Sequence, residues 1–280
     1  MNLIEPSLAS KTTIAELVFA KAIGGRTYLA RQFTPYPFHI TRPFYVDAEP
    51  AAMATVYLQS ASGGAYRGDR LALSLGLEEG AAAHVTTQAS TLVHAGRGGQ
   101  TKLTQEIDLG RESFLEFLPD PLILMAEADC VVRSDVRLAE GARLLFSDSF
   151  LTHDPEAGER PPKAFRSSLT VREASGRPLL IDRFGLGEGA MPPARLGALP
   201  CHSSVLFVAP EADAPLAAHL LASLKQVEGL YAGVSALPGA PGLWLRLLAR
   251  DGVALSAGLQ TAWRSLRSAV TGQPPAPRRK

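Results

Sequence analysis

The sequence predicts an all-β-dominated chain, built in repeated layers and joined in its C-terminal part by two amphipathic α-helices. Three observations carry this. Apolar residues recur at every second position through much of the first 210 residues. Glycine (25) and proline (21) make up about one in six of the 280 residues, and both interrupt helices. Three segments also share one strand, turn, strand pattern.

In chain order, the first clear alternation is Ala54, Val56, Leu58. Over 71–77 it becomes Leu71, Leu73, Leu75 and Leu77, with Arg70, Ser74 and Glu78 at intervening positions, which describes a half-buried strand. Leu103, Gln105, Ile107, Leu109 and Phe165, Ser167, Leu169, Val171 repeat the period, each bounded by turn residues. The segments LGLEEGAAAHVTTQ, IDLGRESFLEF and VRLAEGARLLFSD turn at Gly80, Gly110 and Gly141, spaced by 30 and 31 residues. That spacing suggests a repeated layer in which each hairpin buries its apolar face by stacking on the next. A meander with loosely spaced glycine turns gives the same spacing, and either arrangement is mostly antiparallel.

Two segments have a helical period instead. Over 214–227, Leu216, Leu220, Leu221, Leu224 and Val227 share a face, with Pro215 in the first turn and Gly229 beyond the end. Over 255–270 the row is Leu255, Leu259, Trp263, Leu266 and Val270, with Arg264 and Arg267 facing away. The ending GQPPAPRRK is Pro-rich and basic, so residues 272–280 are expected to order poorly unless a partner holds them. Residues 1–271 read as one domain, and the Pro/Gly-rich stretch 185–200 reads as a surface loop rather than a linker.

A net charge of +1 gives no field that steers the chain to nucleic acid or anionic lipid. With 46% hydrophobic and 20% charged residues, the composition fits a soluble globular protein. Glu5, Lys11 and Glu16 break up the first apolar stretch, so no secretory signal is expected, and no uncharged run reaches the length of a spanning helix. Cys130 and Cys201 form no close pair, which suits a reducing cytoplasm.

Enzymatic motifs are refused one by one. GGAYRGD over 63–69 has the glycines of a phosphate loop, but Asp69 stands where Lys must meet phosphate. Gly185, Gly187 and Gly189 make no dinucleotide fingerprint, because Pro192 and Pro193 follow where a helix must start. The six histidines lack metal spacing. Glu116, Asp120, Glu127 and Asp129 are numerous enough to contain a glycosidase pair, so a carbohydrate-active β protein stands as the alternative reading.

Residues 63–94, GGAYRGDRLALSLGLEEGAAAHVTTQASTLVH, resemble the signature of the urease accessory protein family UreD, also called UreH: GG, three residues, GD, a strand, GA and TTQA. The positions that match include Gly63, Gly64, Gly68, Asp69, Thr86, Thr87 and Gln88. RPFY at 42–45 and FLEFLPDPLI at 114–123, with Pro119 and Pro121, are similar to further family segments, as is the ending LRSAVTGQPPAPRRK. Leu92, His94 and Phe117 depart from the pattern, and the family's GE element survives as Gly158 and Glu159.

The resemblance implies stacked β-sheets wound in a helix-like manner and a non-enzymatic role in the cytoplasm. It implies docking on urease apoprotein and recruitment of UreF and UreG while nickel is inserted, with GTP hydrolysis belonging to UreG. No cofactor is expected to bind tightly, only Ni²⁺ in transit. Asp69 and Glu159 are the candidates for a nickel path, since dispersed carboxylates bind a metal and let it go. For Asp69 the competing reading is a carboxylate that accepts hydrogen bonds from turn amides. Thr86, Thr87 and Gln88 are read as structural hydrogen-bonders. Trp263, Arg264 and Arg267, with the tail, are the candidates for the UreF contact.

Overall fold

The structure is a computed structural model and describes residues 12–47, 50, 52–96, 99–156, 160–187 and 199–278. Alternating strands sort into two facing sheets. The first has the order β14 (Pro178–Leu186), β13 (Ala164–Glu173), β11 (Asp129–Leu138), β8 (Thr101–Leu109), β5 (Arg70–Leu77), β1 (Thr13–Lys21), β2 (Thr27–Phe33). The second has the order β16 (Leu230–Ala236), β17 (Gly242–Ala249), β15 (Cys201–Val208), β12 (Arg143–His153), β9 (Phe114–Phe117), β6 (Ala82–Thr87), β4 (Ala54–Ser60), β3 (Phe38–Ile40). Two short strands, β7 (Leu92–Val93) and β10 (Leu122–Met125), extend it beside β12.

Each of the three similar segments is one corner of a coil, in which a strand of the first sheet turns and continues as a strand of the second. Leu77, Leu109 and Leu138 stack in register on one side of the corner, and Ala82, Phe114 and Arg143 on the other. These ladders are parallel, so the expectation of a mostly antiparallel chain of hairpins is corrected. Period-2 alternation reports only that one face is buried, and both ladder types produce it. The deciding feature is the corner, which sends the chain across to the opposite sheet. A Cβ on Gly110 would come within 2.8 Å of the Leu77 carbonyl oxygen, and Gly141 has φ +71°, so both corners need glycine. Antiparallel pairs flank the stack, among them β1 with β2, β13 with β14 and β12 with β15.

Between the sheets, Leu17, Leu75, Ile107, Val136, Leu144 and Phe146 form an apolar core at the corner end. Cys130, Val132, Phe150 and Phe165 form a second one farther along the strands. The outer face of the second sheet is covered by α1 (Ala214–Leu224) and α2 (Gly252–Thr271), through Leu220, Leu224, Leu255 and Leu266 packed on Leu145, Phe207 and Leu245. Asp213 and Asp251 cap these helices, accepting from Leu216 N and Ala254 N at 2.8 Å.

Two expectations are corrected at α2. Arg264 is exposed, but Arg267 is fully buried. It lies four residues after Trp263, which puts both on one helical face. The tail is also packed as far as Arg278: Ala276 N donates to Asp47 Oδ1 at 2.8 Å and Arg278 Nη2 to the Leu118 carbonyl at 3.2 Å. A polar composition predicted poor order, whereas buried acceptors on the body give this segment its place.

Candidate functional site

The site grows out of an interruption in the second sheet. β9 pairs with Arg143–Phe146 of β12, and β10 resumes the pairing at Phe150. Between them runs Leu-Pro-Asp-Pro, residues 118–121, opposite Ser147, Asp148 and Ser149. Pro119 and Pro121 have no N–H to give a ladder, so the sheet opens here. Thr87 Oγ1 accepts from Asp120 N at 2.8 Å and Thr86 Oγ1 donates to the Leu118 carbonyl at 2.6 Å, which fixes the looped-out segment to β6.

A cavity of about 360 Å³ lies between the sheets at this level. Gln59, Thr87, Gln88, Gln105, Ser147 and Asp148 supply polar wall, and Leu73, Leu103, Phe117 and Val132 supply apolar wall. A second cavity, of about 510 Å³, lies between the outer face of the sheet and α2. Ser90, Pro119, Asp120 and Ser147 line both, so the two cavities share a wall at the interruption.

Asp148 points inward and accepts a hydrogen bond from the Ser167 hydroxyl across the inter-sheet space. Burial raises its pKa and the Asp182 charge adds to this, against the opposing pull of the Ser167 hydrogen bond and then of Arg246. Arg246 is held by Asp182 and Ser204 at 2.5 Å each. His202, stacked between Phe150 and Phe184, is brought down to about 4 by burial and by Arg246, so it is neutral at physiological pH.

On the other side of β9, Glu116 is fully buried beneath α2. Its carboxylate accepts from His84 Nδ1 at 2.7 Å, Trp263 Nε1 at 2.8 Å, Arg267 Nε at 2.6 Å and Arg267 Nη2. Burial would raise its pKa, but the Arg267 charge and the hydrogen bonds from His84 and Arg267 bring it to about 2. His84 is lowered chiefly by burial and stays neutral, with its proton placed on Nδ1 by the bond to Glu116. Arg267 also pairs with Asp47 at 3.1 Å. Four donors use the full accepting capacity of Glu116. It has no lone pair to offer a metal or a sugar.

Asp69 takes the role of a turn residue. Its carboxylate accepts from Tyr66 N at 2.8 Å, its own N–H donates to the Tyr66 carbonyl, and it is not among the described residues that line the cavity. Gly63, Gly64, Thr87, Gln88 and Pro119 do line it, while Pro121 and Trp263 line the outer cavity. Gly68 lies in the Asp69 turn, Thr86 is buried behind the wall, and Glu159 and Gly158 fall outside the described residues. Asp120 and Asp148 are the carboxylates that the cavities contain. Of the other carboxylates in a glycosidase reading, Glu116 is saturated and Asp129 accepts from Gln100 Nε2 at 2.7 Å.

Strand alternation alone does not single out Asp148; the signal for it is Gln105 and Ser167, polar residues at inward positions of otherwise apolar alternation. Among the described residues no three His, Cys, Asp or Glu side chains converge as a metal cage, and no helix is long and apolar enough to cross a membrane.

The family profile described as UreD urease accessory protein matches residues 11–280. The chain is 41% identical to urease accessory protein UreD 1 of Methylorubrum populi over 268 residues, covering 95% of this chain and 91% of that one. It is 38% identical to UreD 3 of Bradyrhizobium sp. strain ORS 278, covering 92% and 91%. Against UreD 1 of Pseudomonas syringae pv. syringae it is 35% identical with full coverage of both chains. With the coiled double sheet and matches of this extent, the chain belongs to the UreD family of urease accessory proteins.

Proposed function

We propose that this chain is a non-catalytic, cytoplasmic scaffold of urease maturation that docks on urease apoprotein, recruits UreF and UreG, and lets Ni²⁺ pass through its own body. The observation that carries the passage is the interruption at 118–121, where two cavities on opposite faces of one sheet share a wall containing Asp120. A dication crossing there meets Asp120, Ser147 and Asp148, oxygen donors spread along the path rather than closed around a centre. Such a donor set holds nickel weakly and releases it. Nickel is cargo in this reading, and no cofactor is bound tightly.

The test is urease activation at limiting nickel with Asp120→Asn and Asp148→Asn, singly and together. Both amides keep the shape and lose the charge. The double variant is expected to fold and to co-purify with UreF and urease apoprotein, yet to load less nickel into urease. Full activation by a folded double variant refutes the passage, and failure of the wild-type chain to capture UreF or apoprotein refutes the scaffold.

A further inference from the structure

The C-terminal strap, residues 272–278, passes Asp47 at Ala276 and reaches the outer cavity, beside the shared wall, at Arg278. Arg278 lines that cavity, with its guanidinium 4.7 Å over the Trp263 ring and Nη1 at 3.9 Å from Asp120 Oδ1. Resting on the passage proposed above, we infer that the strap is a latch: seated, Arg278 neutralises Asp120 and faces the outer cavity with positive charge, and a divalent cation reaches the inner cavity when the strap lifts.

The seat is built for release. The strap is held by Ala276 N on Asp47 and by Arg278 on Leu118, Asp120 and Trp263. The Leu118 carbonyl also accepts from Thr86, so departure of Arg278 does not orphan it. Arg278 Nε has no hydrogen-bond partner in the seat. Gln273, Pro274 and Pro277 are exposed, and the apolar surface that lifting uncovers is chiefly that of one buried residue, Pro275. Gly272 has φ +74° and ends α2, providing a pivot, and Pro274, Pro275 and Pro277 keep the released strap extended. Asp47, the anchor, is itself held by Arg267, so the latch closes on the rigid part of the molecule.

The test measures Ni²⁺ binding by equilibrium dialysis on the purified full-length chain. Arg278→Gln removes the charge, and Ala276→Pro removes the N–H that anchors the strap while leaving every charge in place. Seating is read separately by acrylamide quenching of Trp263 in a Trp244→Phe background, which leaves one tryptophan. Both variants are expected to quench more readily and to bind Ni²⁺ about fivefold more tightly, and adding Asp120→Asn should abolish the gain. Equal Ni²⁺ affinity in the wild type, Arg278→Gln and Ala276→Pro, with Asp120→Asn weakening all three, overturns the latch and leaves the passage standing. Indifference of every variant, including Asp120→Asn and Asp148→Asn, overturns the passage and the latch with it. Unchanged quenching in Arg278→Gln also overturns the latch, since Arg278 would then not cover Trp263.

Discussion

Glu116 and Asp148 are both carboxylates of the second sheet, one behind it and one between the sheets, and their surroundings push them in opposite directions. Glu116 has four donors and a buried arginine, and its pKa falls to about 2. Asp148 has one serine hydroxyl and a distant arginine shared with Asp182, and its pKa rises. The difference separates charge used to fasten the fold from charge held ready for a visitor. A saturated carboxylate contributes to assembly, whereas an under-served one next to a cavity costs stability and is available to a cation.

Removing Glu116 should sharpen this contrast most. Glu116→Ala strands Arg267 in the core, and a loss of about 3–5 kcal/mol is expected in urea unfolding. Asp148→Asn should change stability by less than about 1 kcal/mol at neutral pH, in the stabilising direction. Equal losses would erase the distinction. The next largest effect is acid sensitivity. Glu116 titrates near 4.5 when unfolded and about 2 when folded, so its stabilisation is complete above 4.5 and is lost as pH falls towards 2. At about 1.4 kcal/mol per unit this is on the order of 3 kcal/mol, and Glu116→Gln should flatten that limb of a pH–stability profile. Asp148 has the reverse sign: its raised pKa favours the fold most at low pH, and this is lost as pH rises through the folded value.

Smaller effects mark positions outside the pair. Asp69→Ala should cost about 1–2 kcal/mol by removing the acceptor for Tyr66 N. Asp69→Asn should cost less than about 1 kcal/mol and leave nickel loading of urease normal; poor loading by a stable Asn variant would move the path to this turn. Arg264→Ala, on exposed helix surface, should stay within about 0.5 kcal/mol, whereas Arg267→Ala three residues on should resemble Glu116→Ala. A thermal melt of the two arginine variants side by side distinguishes them.

Strand periodicity made the β-rich layering legible, and the three glycine corners did mark successive coils, because local alternation and turn chemistry are properties of neighbouring residues. Ladder direction was not legible. Leu77, Leu109 and Leu138 align across coils, and nothing local to any of them says whether the partner strand runs the same way. The candidate site was legible only in part. The family motif placed Gly63, Gly64, Thr87, Gln88 and Pro119 at the cavity, while its most conspicuous carboxylate, Asp69, fastens a turn. The charge of Arg267 points it to solvent on sequence grounds, and its partner, Glu116, is 151 residues away in sequence. Ordering of the tail depends likewise on Asp47 and Asp120, which no inspection of GQPPAPRRK could supply.

That separation bears on how the chain is made. At roughly 5–20 residues per second, a ribosome exposes Glu116 and its coil some 8–30 seconds before Arg267 and Trp263 follow. In that interval the coils can stack through their glycine corners and α1 can cover part of the outer face, but Glu116 and the apolar surface that α2 packs on stay uncovered. The last helix therefore acts as the closing step of biosynthesis. A nascent chain stalled before residue 252 should be recognised by chaperones and cut by proteases, while one released in full should resist both.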